Sequence, residues 1–428
     1  MATNVGIVGA GYAGMAAAVV LAEAGVPVTV YEAAAVPGGR ARRVEAGGVQ
    51  LDNGVHILLG AYSATLELMR RTGVALDERL LRLPLDWDIH RRFRFVAAPL
   101  PAPLHLAIGL MRVRGAPWRE RWAAARFLAA MRRSAFELPH DISVAKLLRA
   151  QRQGERFVRH LWEPLCLAAL NTPLERASAQ VFLNVLKDGL DAGRAASEVM
   201  LARCDLTALF PEPATRHLVD RGGELRLRET VQSIEHADGR FRIRTRKRSS
   251  EHSHVICATS PHHAGALVGG LPGMSRVPAQ LDALRYEPIC TIYLQYGAEV
   301  RLPKPMLGLG ARTAQWLFDR GAICGQDGLI AAVISAGGPH SAMTHDTLAR
   351  RVHEDVAHVT GSSAAPAWSR VIAEKRATFA CTVGVKRPPQ RTPLPGLLLA
   401  GDYTAGRYPG TLEGAVRSGL ACAQAVLG

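Results

Sequence analysis

The sequence predicts an α/β protein: a Rossmann-like dinucleotide-binding domain carrying an inserted, mainly helical and mixed-sheet second domain. Three observations carry that prediction. The chain opens on a strand, a glycine cluster, a helix and a second strand in "NVGIVGAGYAGMAAAVVLAEAGVPVTVYE". Between Ser63 and Ala214 the pattern turns mainly helical. Two short apolar runs, "HVICATSP" (His254 to Pro261) and "GLLLAGD" (Gly396 to Asp402), then read as strands late in the chain.

The opening run is β-branched and apolar, as a strand buried on both faces must be. The helix "AGMAAAVVLAEAG" stops at Gly25, a natural residue beyond a helix end, and "VPVTVYE" is the second strand. The turn between strand and helix reads G-x-G-x-x-G. Gly9 permits the tight turn, Gly11 lets a pyrophosphate approach the backbone, and Gly14 lets the helix pack on the strand. Residues Gly9, Ala10, Gly11, Tyr12, Ala13 and Gly14 are therefore expected around a diphosphate, where free N–H groups and the helix dipole favour anions. Glu32 ends the second strand, eighteen positions after Gly14, close to the spacing of about 20 for an acid that binds ribose hydroxyls. A carboxylate there repels a 2′-phosphate, so NADP is disfavoured. "PGGRAR" (Pro37 to Arg42) follows, placing Gly39 and Arg40 near the pyrophosphate or a flavin edge. "LDNGVHILLG" then brings Asn53, Gly54 and His56.

With 428 residues, 48% hydrophobic and 21% charged, the composition is that of a globular protein of more than one domain. No uninterrupted apolar stretch is long enough to span a bilayer, and Met1 leads almost straight into a strand without a leader pattern. A cytoplasmic protein is expected. Seven scattered cysteines with no C-x-x-C pair suit reduced thiols and exclude a zinc frame or a disulfide frame. The formal charge of +15 suits anionic partners, but no groove-reading motif accompanies it, so nucleic acid is not expected.

The G-x-G-x-x-G…E…GGR arrangement, with "HVICATSP" and "GLLLAGDYTAGRYPGTLEGAVRSG", resembles the amine oxidase and carotenoid desaturase group of FAD flavoproteins. The resemblance runs over nearly the whole chain. It implies FAD bound by residues from both ends of the chain. Gly401 and Asp402 would hold the ribityl chain or pyrophosphate. A final helix starting near Thr411, Leu412 and Glu413 would face the flavin's N1–C2=O edge, where reduced flavin carries negative charge. Val231, in "GGELRLRETVQSI", would meet the adenine region through its backbone. It also implies FAD-binding parts at 1–62, 215–270 and 386–428, a mainly helical substrate or membrane-facing insert at 63–214, and a second substrate part at 271–385. Within the group, "LWEPLCLAALNTPLERASAQVFLNVLKDGL" (Leu161 to Leu190) and "LDNGVHILLGAY" resemble the squalene-associated branch, the hydroxysqualene dehydroxylases of hopanoid biosynthesis. There the residue before His56 is often Gln; here it is Val55. The branch implies Trp162, Cys166 and Asn171 as substrate-lining residues.

The reaction so implied reduces hydroxysqualene to squalene. An allylic hydroxyl leaves, and reduced flavin delivers hydride to the carbon, in a site that excludes water. His56 is the candidate to assist departure of the hydroxyl, with a purely structural role as the competing reading. The single dinucleotide fingerprint is taken by FAD, so the electrons come from outside: NAD(P)H or a redox protein. An isoprenoid desaturase of the carotenoid or phytoene type, an amine oxidase, and a non-catalytic flavin- or lipid-binding protein are the alternatives. In Val96–Arg133, Trp118, Trp122 and Met131 mark an apolar face beside Arg119, Arg121, Arg126, Arg132 and Arg133. That pattern suits peripheral contact with an anionic membrane at the inner face of the cytoplasmic membrane. "RTRKRSS" (Arg244 to Ser250) is expected to be a solvated hairpin turn.

Overall fold

The computed structural model describes residues 3–428; Met1, from which the expected leaderless start was read, lies outside them. The opening unit forms as expected: β1 (Val5–Val8), α1 (Tyr12–Glu23) and β2 (Val28–Tyr31). α1 is buried along almost its whole circumference, which its alanines allow and an amphipathic helix would not. It stops at Gly25, whose φ of +73° suits glycine.

After α2 (Ser63–Arg71), the strands β3 (Asp86–Ile89) and β4 (Phe93–Val96) form an antiparallel pair. Among the helices that follow are α3 (Leu104–Met111), α4 (Trp118–Arg133), α5 (Val144–Ala150), α6 (Glu163–Leu170) and α7 (Ala179–Leu186). Ser143 and Ser178 cap α5 and α7 through their hydroxyls, the usual remedy for unpaired N–H groups at a helix start. β5 (Glu224–Arg226) and a three-stranded antiparallel sheet over residues 231–252 lead to β6 (His254–Cys257). "RTRKRSS" turns between two strands of that small sheet, as expected. β7 (Tyr286–Gln295), β8 (Met306–Gly308), β9 (Trp316–Asp319), β10 (Leu329–Ser335) and β11 (Trp368–Phe379) come next. β12 (Leu397–Leu399) and α8 (Leu412–Leu427) close the chain.

Two sheets organise the molecule. The first is parallel, in the order β5-β2-β1-β6-β12. Its strands come from three separate stretches, and β6 and β12 are the two late apolar runs. The second has seven strands in the order β11-β7-β10-β9-β8-β3-β4. β3 and β4 thus extend a sheet whose other strands lie beyond residue 285, and the early insert and the later segment share one core.

The helical reading of the middle of the chain is met, with one correction on α4. Trp118 and Trp122 are 66% and 53% exposed, whereas Met131 is 5% exposed. At 100° per residue Met131 falls on the opposite side of the helix from the tryptophans, beside Ala124 and Phe127. The core face is Ala, Phe and Met; the tryptophans face solvent.

Candidate functional site

A cavity of ≈ 990 Å³ runs from the glycine turn to the wall of the seven-stranded sheet, at the upper end of the range of about 300–1,000 Å³ for ligand sites. Its first end is backbone. Gly9 has a φ of +108°, and a Cβ there would come within 2.7 Å of Ala258 O. A Cβ on Gly14 would meet Gly9 O at 2.0 Å, so only glycine lets α1 start this close to β1. A Cβ on Gly11 would meet nothing nearer than Gly39 Cα at 4.0 Å. It would fill the cradle itself, where a pyrophosphate fits. Gly11, Tyr12 and Ala13 line the cavity; Ala10 and Gly14 stand behind it. Ala10 is a strut: its N–H donates to Glu32 Oε2 at 2.8 Å, and its carbonyl accepts from Gly38 N at 2.8 Å. The second carboxylate oxygen of Glu32 accepts from Ala34 N at 2.8 Å. Glu32 and Val231 both line this end. The neighbouring Tyr31 hydroxyl donates to His252 Nε2 at 3.0 Å. Burial first, and then Arg226 and Arg240, push the His252 imidazole down to about 4.

At mid-cavity the two ends of the chain meet. Arg40 Nη2 lies 2.5 Å from Asp402 Oδ1. Burial opposes the guanidinium charge, but Asp402 more than offsets it and holds Arg40 above its ordinary value. Gly39, Arg40, Asn53, Gly54, Gly401, Asp402, Thr411 and Leu412 line the cavity together. Asn53 Nδ2 donates to Arg40 O at 3.2 Å, and Gly401, at a φ of +154°, donates its N–H to Ser418 Oγ at 3.0 Å. Thr411 caps α8 by accepting from Gly414 N at 3.1 Å, so the positive end of that helix faces the cavity. Glu413, expected here, turns away. It is fully buried and accepts from Ala64 N, Thr65 N and Thr65 Oγ1 at 3.1, 2.9 and 2.6 Å. It caps α2, whose first N–H groups lack helical partners.

The far end is apolar. β7, β9 and β10 contribute Ile289, Thr291, Trp316, Phe318, Val333 and Ser335, a wall without a charged side chain. His56 faces it. Its Nδ1–H donates to Gly54 O at 2.7 Å, which leaves Nε2 as the acceptor of the neutral ring. Burial holds the imidazole below its ordinary value, the Gly54 carbonyl opposes this, and Arg40 adds to the lowering. Thr291 was not anticipated. It is 1% exposed, its hydroxyl has no hydrogen-bond partner among the described residues, and it lies 3.6 Å from where a Cβ on Gly54 would stand. Its only signal in the sequence is strand alternation in "ICTIYLQ".

Of the three residues expected to line the substrate end, Asn171 does so. It stands in the left-handed conformation at the end of α6. Its Nδ2 donates to Thr378 Oγ1 at 3.0 Å and its Oδ1 accepts from Ala336 N at 2.7 Å. Trp162 and Cys166 are corrected: both are core residues away from the lining. Trp162 packs edge-on against Phe127 at 5.3 Å and donates from Nε1 to Gln153. The Cys166 thiol donates to Thr172 O, and burial raises it beyond use as a thiolate.

The family described as flavin containing amine oxidoreductase matches residues 12–427. A hydroxysqualene dehydroxylase of Sinorhizobium fredii is 29% identical over 451 residues, spanning 100% of this chain and 99% of that protein. A zeta-carotene desaturase of Capsicum annuum is 24% identical over 478 residues, spanning 97% of this chain and 79% of that one. Among solved structures, cyclohexylamine oxidase from Brevibacterium oxydans superposes with a TM-score of 0.70 at 17% identity over 100% and 99% of the two chains. At that identity the likeness is one of fold.

Proposed function

Because this chain belongs to the flavin containing amine oxidoreductase family, and is a flavin-dependent oxidoreductase, we propose that its cavity holds FAD and that it reduces hydroxysqualene to squalene. One observation carries the choice of substrate: the wall that β7, β9 and β10 build beyond Arg40 and His56 is mostly apolar and carries no charged side chain, and the carboxylate lining the cavity beside it, Glu374 opposite Ile289, acts on Arg40. Such a wall suits an isoprenoid chain, and the Glu374 carboxylate beside it already faces the Arg40 guanidinium rather than standing free for a cationic amine. Full-length likeness to a hydroxysqualene dehydroxylase supports the same reading.

The open cradle at Gly11, the Glu32 carboxylate and the Arg40–Asp402 pair fit a diphosphate, a ribose and a ribityl chain in turn. When bound, reduced FAD supplies the hydride. The residues must hold the allylic carbon, exclude water that would capture a cation, and ease departure of the hydroxyl as water. Atoms balance as R–OH plus hydride plus a proton giving R–H and water. His56, neutral and tied through Nδ1–H, accepts hydrogen bonds at Nε2 and so receives the departing water. Thr291 has a hydroxyl to donate to the leaving oxygen. The electron donor, NAD(P)H or a redox protein, binds from outside. The boundaries 1–62, 63–214, 215–270, 271–385 and 386–428 remain our proposal for the domains. An isoprenoid dissolves in bilayers, so peripheral contact with an anionic membrane on the cytoplasmic side belongs to the same reading.

Anaerobic mixing of the reduced protein with hydroxysqualene tests it. Flavin reoxidation and squalene should appear in equal amounts. No squalene, with a polyene formed from a saturated isoprenoid by the oxidised protein, would replace the proposal by a desaturase. Peroxide release with polyamines would replace it by an amine oxidase.

A further inference from the structure

Exposed large hydrophobic side chains gather in one stretch. Of eight in the described chain, Val96, Leu104, Met111, Trp118 and Trp122 fall between residues 96 and 122. On α3, Leu104, Ala107, Ile108 and Met111 share one side of the helix, and that side faces out. It carries no polar group, whereas soluble proteins seldom expose a contiguous apolar face. α3 is tied to the start of α4: Arg121 donates from Nε to Ala116 O at 2.9 Å and from Nη1 to Met111 O at 3.1 Å. On α4, Trp118, Trp122, Arg126 and Arg133 follow at helical spacing along the solvent side. Next to that stripe lies a cleft of ≈ 360 Å³ bounded by Arg126, Arg133 and Arg152, with no acidic residue in its lining. Among the described residues none of these three arginines makes an ion pair.

We propose that the outward faces of α3 and α4 dock on an anionic bilayer, with Trp118 and Trp122 in the interfacial layer and a lipid phosphate in the Arg126–Arg133–Arg152 cleft. Aromatic rings with one polar edge and arginines beside an apolar face are the groups that settle at that depth. A second copy of the chain is a poor occupant, because a twofold contact here would bring two like-charged patches, each with Arg112, Arg119 and Arg126, together. The surface is close to the cavity: Phe127 on the inner side of α4 packs on Trp162, and the last turn of α6 supplies Ala168 and Ala169 to the lining. Docking is read from the surface itself; that it serves delivery of substrate rests on the isoprenoid reading above.

The test is flotation of the flavin-loaded protein with equimolar phosphatidylglycerol–phosphatidylcholine vesicles, against pure phosphatidylcholine. Binding should need the anionic lipid and weaken with salt. Trp118→Ser with Trp122→Ser, and Arg126→Gln with Arg133→Gln, should each lower it by at least about ten-fold. Arg246→Gln with Lys247→Gln, on the distant hairpin, should leave it unchanged. Flavin absorbance and melting temperature equal to the parent's confirm that the variants fold. Either patch variant floating like the parent, or the hairpin variant losing as much, overturns the proposal. So does a dimer in sedimentation that Trp118→Ser dissociates. Turnover of hydroxysqualene in detergent separates the two readings: docking variants should keep it, and docking without turnover would sink the substrate assignment alone.

Discussion

Three residues decide what the site can do. Glu32 is held by the N–H groups of Ala10 and Ala34, so its carboxylate is fixed before any ribose arrives. Glu32→Lys should strip the flavin: the protein should purify colourless, and a variant that stays fully yellow would remove Glu32 from the cofactor site. Thr291 and His56 divide the polar work at the apolar end. Thr291→Val keeps the shape and removes the hydroxyl, so flavin content should hold while single-turnover reduction of hydroxysqualene slows about 10–100-fold. An unchanged rate would leave the leaving oxygen to another donor. Glu32 was legible because motif spacing points to it. Thr291 was not, because its neighbour Gly54 is 237 positions away in sequence and only the sheet brings them together.

Among the elements, helix starts and their caps tie distant segments. The helix beginning at Thr411 was expected, and it begins there. What the sequence hid is that its buried Glu413 caps α2 across the molecule. A Glu in a helix's first turn reads as local, and its long-range partners depend on the fold. Glu413→Ala should leave the Ala64 and Thr65 donors unpaired, release the part-exposed Arg417 that also bonds Glu413, and lower apparent stability by roughly 3 kcal/mol, read as a shift in the urea midpoint. Trp162 and Cys166 were misplaced for the same reason: their helix was rightly located, but which side meets the cavity is decided by α4 packing over it. The strand edge at Tyr31 carries a pH signature. His252 is held near 4 in the fold, against about 6.5 in an unfolded chain. Its share of stability is therefore complete above about pH 6.5 and is lost as pH falls towards 4, up to about 3 kcal/mol. His252→Gln keeps an acceptor for Tyr31 and cannot titrate, so its melting temperature should fall less steeply over that window than the parent's. Parallel slopes would mean the imidazole is not held down.

At the scale of the whole molecule, the parallel sheet closes the chain on itself. Its strands β1, β6 and β12 could be anticipated because all are apolar, uncharged runs, the composition of strands covered on both faces; their order comes from the fold. The seven-stranded sheet was less legible: β3 and β4 look like a local hairpin, and nothing nearby shows that they extend a sheet built some 200 residues later. Closure also packs the first long helix on the last. Gly419 of α8 meets α1 so closely that a Cβ would stand 2.1 Å from Ala13 O and 3.1 Å from the Ala16 Cβ. Gly→Ala inside a helix ordinarily stabilises it by up to about 1 kcal/mol. Here the backbone clash reverses the sign, because α8 can escape only by lifting off α1, and overpacking of this kind costs about 1–3 kcal/mol. The helix that moves also carries Leu412 and Ala415 in the cavity, with Thr411 at its cap, so flavin affinity should fall along with stability. Gly419→Ala should therefore melt lower and release flavin at a lower urea concentration than the parent, while Gln424→Ala, exposed on the same helix, should do neither. If Gly419→Ala melts higher instead, ordinary helix propensity has won, and the close crossing of the first and last helices is wrong.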